Sequence, residues 1–212
     1  MQVYPRTIAA GGAHEIVIKK SRFICTLTRA VSEEGARTAI AAARRTYWDA
    51  SHNCSAYRIG PAGNLQRTSD DGEPAGTAGA PMLAVLTRRN LTDVIAIVTR
   101  YFGGVLLGAG GLIRAYGQAV TTAVDIVGIV ERRPVALVAV DAEHGEAGRL
   151  EHGLRTAGYA LGPALHAARV TFEVRLDDSE VPAFEVWLAE TTNGRSRAHI
   201  AGYTQVEVPV SN

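Results

Sequence analysis

Between Arg100 and Leu112 the chain reads Arg-Tyr-Phe-Gly-Gly-Val-Leu-Leu-Gly-Ala-Gly-Gly-Leu, where a β-branched run gives way to glycines and then to a helical pattern. A strand, a glycine loop and a helix N-terminus together present backbone N–H groups that suit an anion, which makes Arg100, Tyr101, Gly103, Gly104, Gly108, Gly110 and Gly111 candidate binding residues. The known phosphate codes fail here. A dinucleotide fingerprint begun at Gly108 meets Ile113 where glycine is required, and a P-loop begun at Gly103 meets Ala109 and Gly110 where Lys and Ser/Thr belong. Tight turns and close helix–strand packing explain the same glycines without a ligand. Asp70, Asp71 and Glu73 place three carboxylates within four residues. Acid–base or magnesium chemistry is conceivable there, but the spacing is not that of a calcium loop, and carboxylates beside Gly and Pro are also what turns contain. His52 and Cys54, two apart on a strand, share a face. A zinc site would need further ligands, and Cys25 is the only other thiol. No metal and no cofactor is therefore expected. Both thiols are expected reduced and buried.

The elements that must position these groups follow from periodicity. Strands are expected at Glu15–Ile18 and Phe23–Thr28 around a basic turn that ends in Arg22. A helix follows Ser32, with acidic residues first and Arg44 and Arg45 last, as the helix dipole favours. Strands follow at Asn53–Ile59 and Leu65–Ser69, then a short helix over about Ala78–Arg89, then a buried strand at Val94–Tyr101. The long helix after the glycines runs to about Val127, with Leu112, Ala115, Ala119, Ala123 and Ile126 on one face. The strand leads directly into the glycine loop, so the Asp70–Gly76 loop, Arg100–Tyr101, the glycines and Arg114 are expected to converge on one surface. Arg114 would reach back over the strand end and pair with the acidic loop when the site is empty.

A linker is expected over residues 128–134, dividing domains at 1–130 and 131–212. Beyond it the pattern gives strand 135–140, helix 145–157, strands 159–163 and 168–176, helix 180–190 capped by Ser179, and strand 199–208. This βαββαβ order is ferredoxin-like, and the fold class is α+β. Hydrophobic residues make up 47% and charged ones 20%, which excludes a disordered chain. No run is long enough for a membrane span and no signal peptide is read at the start, so a cytoplasmic protein is expected. Residues 1–130 hold 14 Lys and Arg against 9 Asp and Glu, a net of +5, and residues 131–212 hold 8 against 12. An anionic partner for the first half is permitted by this imbalance.

Several blocks taken together resemble the IMPACT/YigZ family: Glu15 with Lys19 to Ile24, His52 to Tyr57, Asp70 to Gly79 with Pro81, and Arg100 to Tyr116. The resemblance covers about residues 13–127 strongly and the remainder by pattern only. It implies an N-terminal domain like the second domain of ribosomal protein S-five and a ferredoxin-like C-terminal domain. Eukaryotic relatives are regulators of translation initiation, and no catalytic residues come with the resemblance. The reading it favours is a translation-associated binding protein contacting RNA, the ribosome or a translation factor through its N-terminal domain. Its binding residues would be drawn from Arg22, His52, Asp70, Asp71, Glu73, Arg100, Tyr101, Gly103, Gly104, Gly108, Gly110, Gly111 and Arg114. The alternative is an enzyme acting on a phosphorylated or anionic small molecule at the glycine loop, with the carboxylates assisting.

Overall fold

Alternation of side chains along strands decides how the first part of the chain is layered. In a computed structural model that describes residues 4–210, its elements are β1 (Arg6–Ile8), β2 (Gly12–Ile18), β3 (Ser21–Arg29), α1 (Glu33–Thr46), β4 (His52–Ile59), β5 (Leu65–Ser69), α2 (Gly79–Arg88), β6 (Val94–Tyr101) and α3 (Ala109–Val127). Five of the strands form an antiparallel sheet in the order β2-β3-β6-β4-β5. β6 is central, and it is buried along its length until Tyr101. Val94, Ala96 and Val98 enter the core beneath α2 and α3 with Phe23, Cys25, Leu27, Cys54 and Ala56. The intervening Ile95 and Ile97 pack on the other face with Ala36 and Ala43 of α1. One strand thus serves two cores, which explains its unbroken apolar run.

α1 starts where Ser32 accepts a hydrogen bond from the Gly35 N–H at 3.1 Å, with Glu33 and Glu34 in its first turn and Arg44 and Arg45 in its last. α3 buries Leu112, Ala115, Tyr116, Ala119, Val120, Ala123 and Val124. Ile126, expected on that face, is 60% exposed. The buried stripe drifts around a helix of this length, and Val124 and the half-buried Val127 occupy the last core positions instead.

The chain divides into two units, one running to Arg132 and including the end from Glu207, the other from Arg133 to Val206. The linker expected over residues 128–134 is strand: β7 spans Ile129–Ala142. The short β1, which has too little pattern to be read from sequence, pairs with its first residues, and the Arg6 guanidinium binds Glu131 at 3.0–3.1 Å. Val210 donates to the Ile129 carbonyl, and Arg29 holds Glu207 through two bonds of 2.8 Å.

The second unit continues with α4 (His144–Thr156), β8 (Ala160–Leu161), β9 (Leu165–His166), β10 (Val170–Leu176), a 3-10 turn at Asp178–Glu180, α5 (Val181–Thr192) and β11 (Arg197–Pro209). β7 pairs with β10 on one side and β11 on the other, and β8 and β9 together line the outer edge of β10. That is the ferredoxin-like order, with its edge strand interrupted around Gly162. Phe172, Val174, Phe184 and Leu188 centre its core. Ser179 does not cap the last helix. Asp177 instead caps the preceding 3-10 turn, in a reciprocal capping box with Glu180, and the last helix itself has no side-chain cap. The chain as a whole is α+β with two domains, and no described helix is long and apolar enough to cross a membrane.

The acidic loop between β5 and α2 has a structural explanation in Asp70. Its carboxylate accepts from the backbone N–H groups of Gly76, Ala78 and Gly79 at 2.8–3.0 Å, capping α2 from outside the helix. Burial pushes this carboxyl up, but the three N–H groups outweigh it and hold it below its ordinary value. Asp71 and Gly72 turn the loop through left-handed conformations, at φ 44° and 89°. The Asp71 carboxylate then binds the Asn53 N–H at 2.7 Å and Arg44 at 2.5 Å. Asp70→Ala should lower stability by about 1–3 kcal/mol at neutral pH, measured by denaturant melts. The native carboxyl is held down, so this contribution is full above the ordinary aspartate range and is lost as pH falls through the depressed value. The gap between wild type and variant should therefore narrow below about pH 4.

The two cysteines flank the same residue, Cys25 and Cys54 each standing opposite Val98 on either side of β6. Two strand spacings, about 9–10 Å, separate them, too far for a disulfide. Both are free and buried. Burial pushes the Cys25 thiol up, and it pushes Cys54 up to about 12. Neither should react with a water-soluble thiol reagent at pH 8 while folded, and both should react after denaturation; rapid native labelling would contradict this placement.

Candidate functional site

Strand parity separates the two residues at the end of β6. Arg100 falls on the same face as Val98 and Ala96, beneath α3, and Tyr101 falls on the opposite face. The cross-strand partners of Arg100 are Phe23 and His52, and Tyr101 stands opposite Arg22. The expected single surface is therefore two surfaces, one on each side of the sheet.

On the α3 side, a cavity of about 450 Å³ is lined by His52, Gly72, Glu73, Pro74, Arg100, Phe102, Leu106, Leu107, Gly108, Ala109 and Leu112. At its floor is an ion pair. The Arg100 guanidinium donates to Glu73 Oε1 at 2.6 Å, with the two side chains only 7% and 3% exposed. The same oxygen accepts from the Tyr116 hydroxyl at 2.7 Å. A second Arg100 nitrogen reaches Ser21 Oγ at 3.4 Å, and the guanidinium carbon lies 5.4 and 5.6 Å from the ring centroids of Phe23 and Phe102. The thiol of Cys54 donates to the Asp70 carbonyl at 2.9 Å and lies 3.3 Å from the Tyr116 oxygen. Burial pushes the Tyr116 hydroxyl up, and the neighbouring Cys54 and Glu73 add to it. It remains a neutral donor to Glu73.

His52 is fixed by the acidic loop. Its Nδ1 lies 2.8 Å from the Asp71 carbonyl, which can only accept, so that nitrogen carries the proton. Nε2 faces inward, 3.9 Å from Glu73 Oε1. Gly72 allows this approach: a Cβ there would meet His52 Nδ1 at 3.3 Å.

The glycines divide by physical role. Gly103 packs against the β2–β3 turn, where a Cβ would come within 2.0–2.4 Å of the Lys20 and Ser21 backbone. Gly104 and Gly108 adopt positive φ of 80° and 72° in open space. Gly108 and Ala109 bring the N-terminus of α3, which has no side-chain cap and no acid in its first turn, to the cavity wall. Gly110 and Gly111 belong to that first turn and do not line the cavity. Arg114 does not reach the strand end. It lies in the second turn of α3, on an exposed position outside the cavity lining. Glu73 pairs with Arg100 and Asp71 with Arg44, so neither takes the role of partner to Arg114. Among the described residues, no group of three or more His, Cys, Asp or Glu is placed to hold a metal ion.

On the opposite face the Arg22 guanidinium lies 5.1 Å from the ring centroid of Tyr101 and binds Glu15 through two bonds of 2.8–2.9 Å. The Tyr101 hydroxyl donates to Asp49 at 2.8 Å, beside Trp48, which is 82% exposed. Sequence reasoning misses this pairing because Arg22 and Tyr101 come together only through register. It also misses Tyr116 and the cavity wall of Phe102, Leu106, Leu107 and Leu112. An apolar Val-Leu-Leu run inside a glycine loop is the one signal that could have revealed that wall.

Comparison with known proteins matches residues 19–124 to the Impact N-terminal domain and residues 140–195 to a domain of unknown function, DUF1949. The IMPACT family member YvyE of Bacillus subtilis is 44% identical over 206 residues, covering 97% of this chain and 95% of that protein. The IMPACT family member YigZ of Escherichia coli is 36% identical over 179 residues, covering 84% and 88%. A crystal structure described as that of a hypothetical protein superposes with a TM-score of 0.59 at 32% identity, covering 95% of this chain and 99% of that one. With both domains matched in order and relatives aligned over nearly the whole length, the chain belongs to the IMPACT family.

Proposed function

We propose that the chain is a translation-associated regulatory protein whose N-terminal domain works by binding, and that the partner it contacts is RNA. Family membership supports the translation-associated part, since the eukaryotic members are regulators of translation initiation. The observation that carries the RNA reading is the Arg22–Tyr101 stack on the exposed end of the sheet, beside the solvent-exposed Lys19-Lys20 turn. The half-buried Tyr101 ring offers a base a stacking edge at the sheet end, and the basic residues around it offer the backbone counter-charge. The net of +5 over residues 1–130 has the sign this requires. Trp48 supplies an exposed ring in the segment that also holds Asp49 against Tyr101.

The same geometry speaks against nucleophilic catalysis through Cys54, whose thiol is buried and pushed up to about 12. Asp70 and Asp71 are engaged with the backbone, which leaves them as supports for the loop.

The test is binding of a labelled single-stranded RNA by fluorescence anisotropy across a salt series. Tyr101→Ala should weaken binding by about 1–3 kcal/mol, the range for loss of one stacked base. Arg22→Ala should weaken it evenly across sequences and reduce the salt slope by about one unit. Affinity that is flat with salt, or untouched by both substitutions, refutes the proposal.

A further inference from the structure

The polar floor of the α3-side cavity is not self-satisfied. The Glu73 side chain is 3% exposed, and its hydrogen-bond partners, Arg100 and Tyr116, both fall on Oε1. Among the described residues Oε2 has no partner. The side-chain atoms that are both sealed from solvent and unpartnered are Thr7 Oγ1, Arg58 Nε and Arg100 Nε, so Glu73 Oε2 is not sealed. Glu73 is one of the residues that line the cavity. His52 adds a second acceptor. With its Nδ1 proton committed to the Asp71 carbonyl, the tautomer that fits this geometry leaves Nε2 as the free ring nitrogen, on the same side as Glu73. A buried carboxylate oxygen beside a half-buried ring nitrogen calls for a ligand that donates, and an ammonium fits because Arg100 engages only the other carboxylate oxygen.

The remainder of the lining asks for something different. The N-terminus of the 19-residue α3 reaches the wall at Gly108 and Ala109 without side-chain cap or acid, which favours a negative group. Phe102, Leu106, Leu107 and Leu112 make the other walls apolar, and Leu106 is 84% exposed while Phe102 is 50% exposed. A volume of about 450 Å³ falls within the range that takes a whole small molecule.

We propose that this cavity binds a small zwitterion of the amino-acid type, with its ammonium on Glu73 Oε2 and His52 Nε2, its carboxylate at the α3 N-terminus, and an apolar side chain against Phe102 and Leu106. A simple anion fits less well: the Arg100 guanidinium on the cavity floor is already paired with Glu73, so phosphate would gain the helix end but meet a carboxylate beside it. The site lies across the sheet from the Arg22–Tyr101 surface and stands independently of the RNA reading.

Isothermal titration of the full chain with L-leucine and with the dipeptide Leu-Leu tests this, using N-acetyl-leucine, leucinamide and inorganic phosphate as comparisons. Leucine or the dipeptide should bind, and whichever binds more tightly fixes the separation of the two charged ends. Removing the positive charge in N-acetyl-leucine, or the negative one in leucinamide, should each weaken binding about 10- to 100-fold. Glu73→Gln should abolish the preference for the free amine. A melting curve must show that this variant is folded. Leu106→Asp changes a side chain too exposed to matter for folding, and it should weaken leucine about 10-fold or more by charging the apolar wall. The proposal is overturned if neither zwitterion binds at about 10 mM, which is weaker than the range of specific small-ligand sites. It is equally overturned if N-acetyl-leucine or phosphate binds as tightly as leucine, or if Leu106→Asp leaves binding unchanged.

Discussion

A permanently charged guanidinium lies beneath the sheet, and the rest of the N-terminal site is arranged around it. Arg100 cannot shed its proton, so its burial requires a counter-charge held in place. Glu73 supplies that charge from a loop 27 residues earlier, at 2.6 Å. Breaking such a pair by removing one partner leaves an uncompensated buried charge, a cost of about 3–5 kcal/mol. Glu73 must therefore come to the same spot in every folded molecule. The turns at Asp71 and Gly72, the Asp70 cap on α2 and the Asp71 bonds to Asn53 and Arg44 are what bring it there. The loop's carboxylates look alike in sequence, yet two of them bind backbone and only the third enters the interior.

The consequence is a preorganised floor. Oε1 of Glu73 is saturated by Arg100 and Tyr116, which fixes the carboxylate plane and leaves its other oxygen oriented without further ordering cost. His52 is locked in the same manner by the Asp71 carbonyl. Both groups would otherwise lose rotamer freedom on meeting a ligand. Here folding has already restricted them, and the loop that does so is also the one that caps a core helix.

The fold was largely legible because its signals are local: β6 and α3 follow from an apolar run and a 3.6-residue repeat, and Ser32 from its cap chemistry. The ferredoxin-like order of the second unit follows similarly. What stayed hidden depends on pairing across distance. β1 is three residues long and exists because β7 offers it an edge. Ser179 lies inside a 3-10 turn that Asp177 caps, and composition does not announce that turn. In the site, adjacency in sequence was mistaken for adjacency in space. Arg100 and Tyr101 are neighbours in the chain, and the period of two sends them to opposite faces.

That parity also explains how one short motif serves two surfaces. Arg100 looks toward α3 and its cavity, while Tyr101 looks toward Arg22 and solvent. The next residues return to the first side, because Phe102 stacks over Arg100 and lines the cavity. Gly103 then passes so close to the β2–β3 turn that no side chain fits, and its N–H reaches Ser21 Oγ at 3.1 Å. Ser21 is also a partner of Arg100 and begins the strand that carries Arg22. The cavity wall at Phe102 and the Arg22–Tyr101 stack are thus joined through Gly103 and Ser21 by a covalent and hydrogen-bonded path.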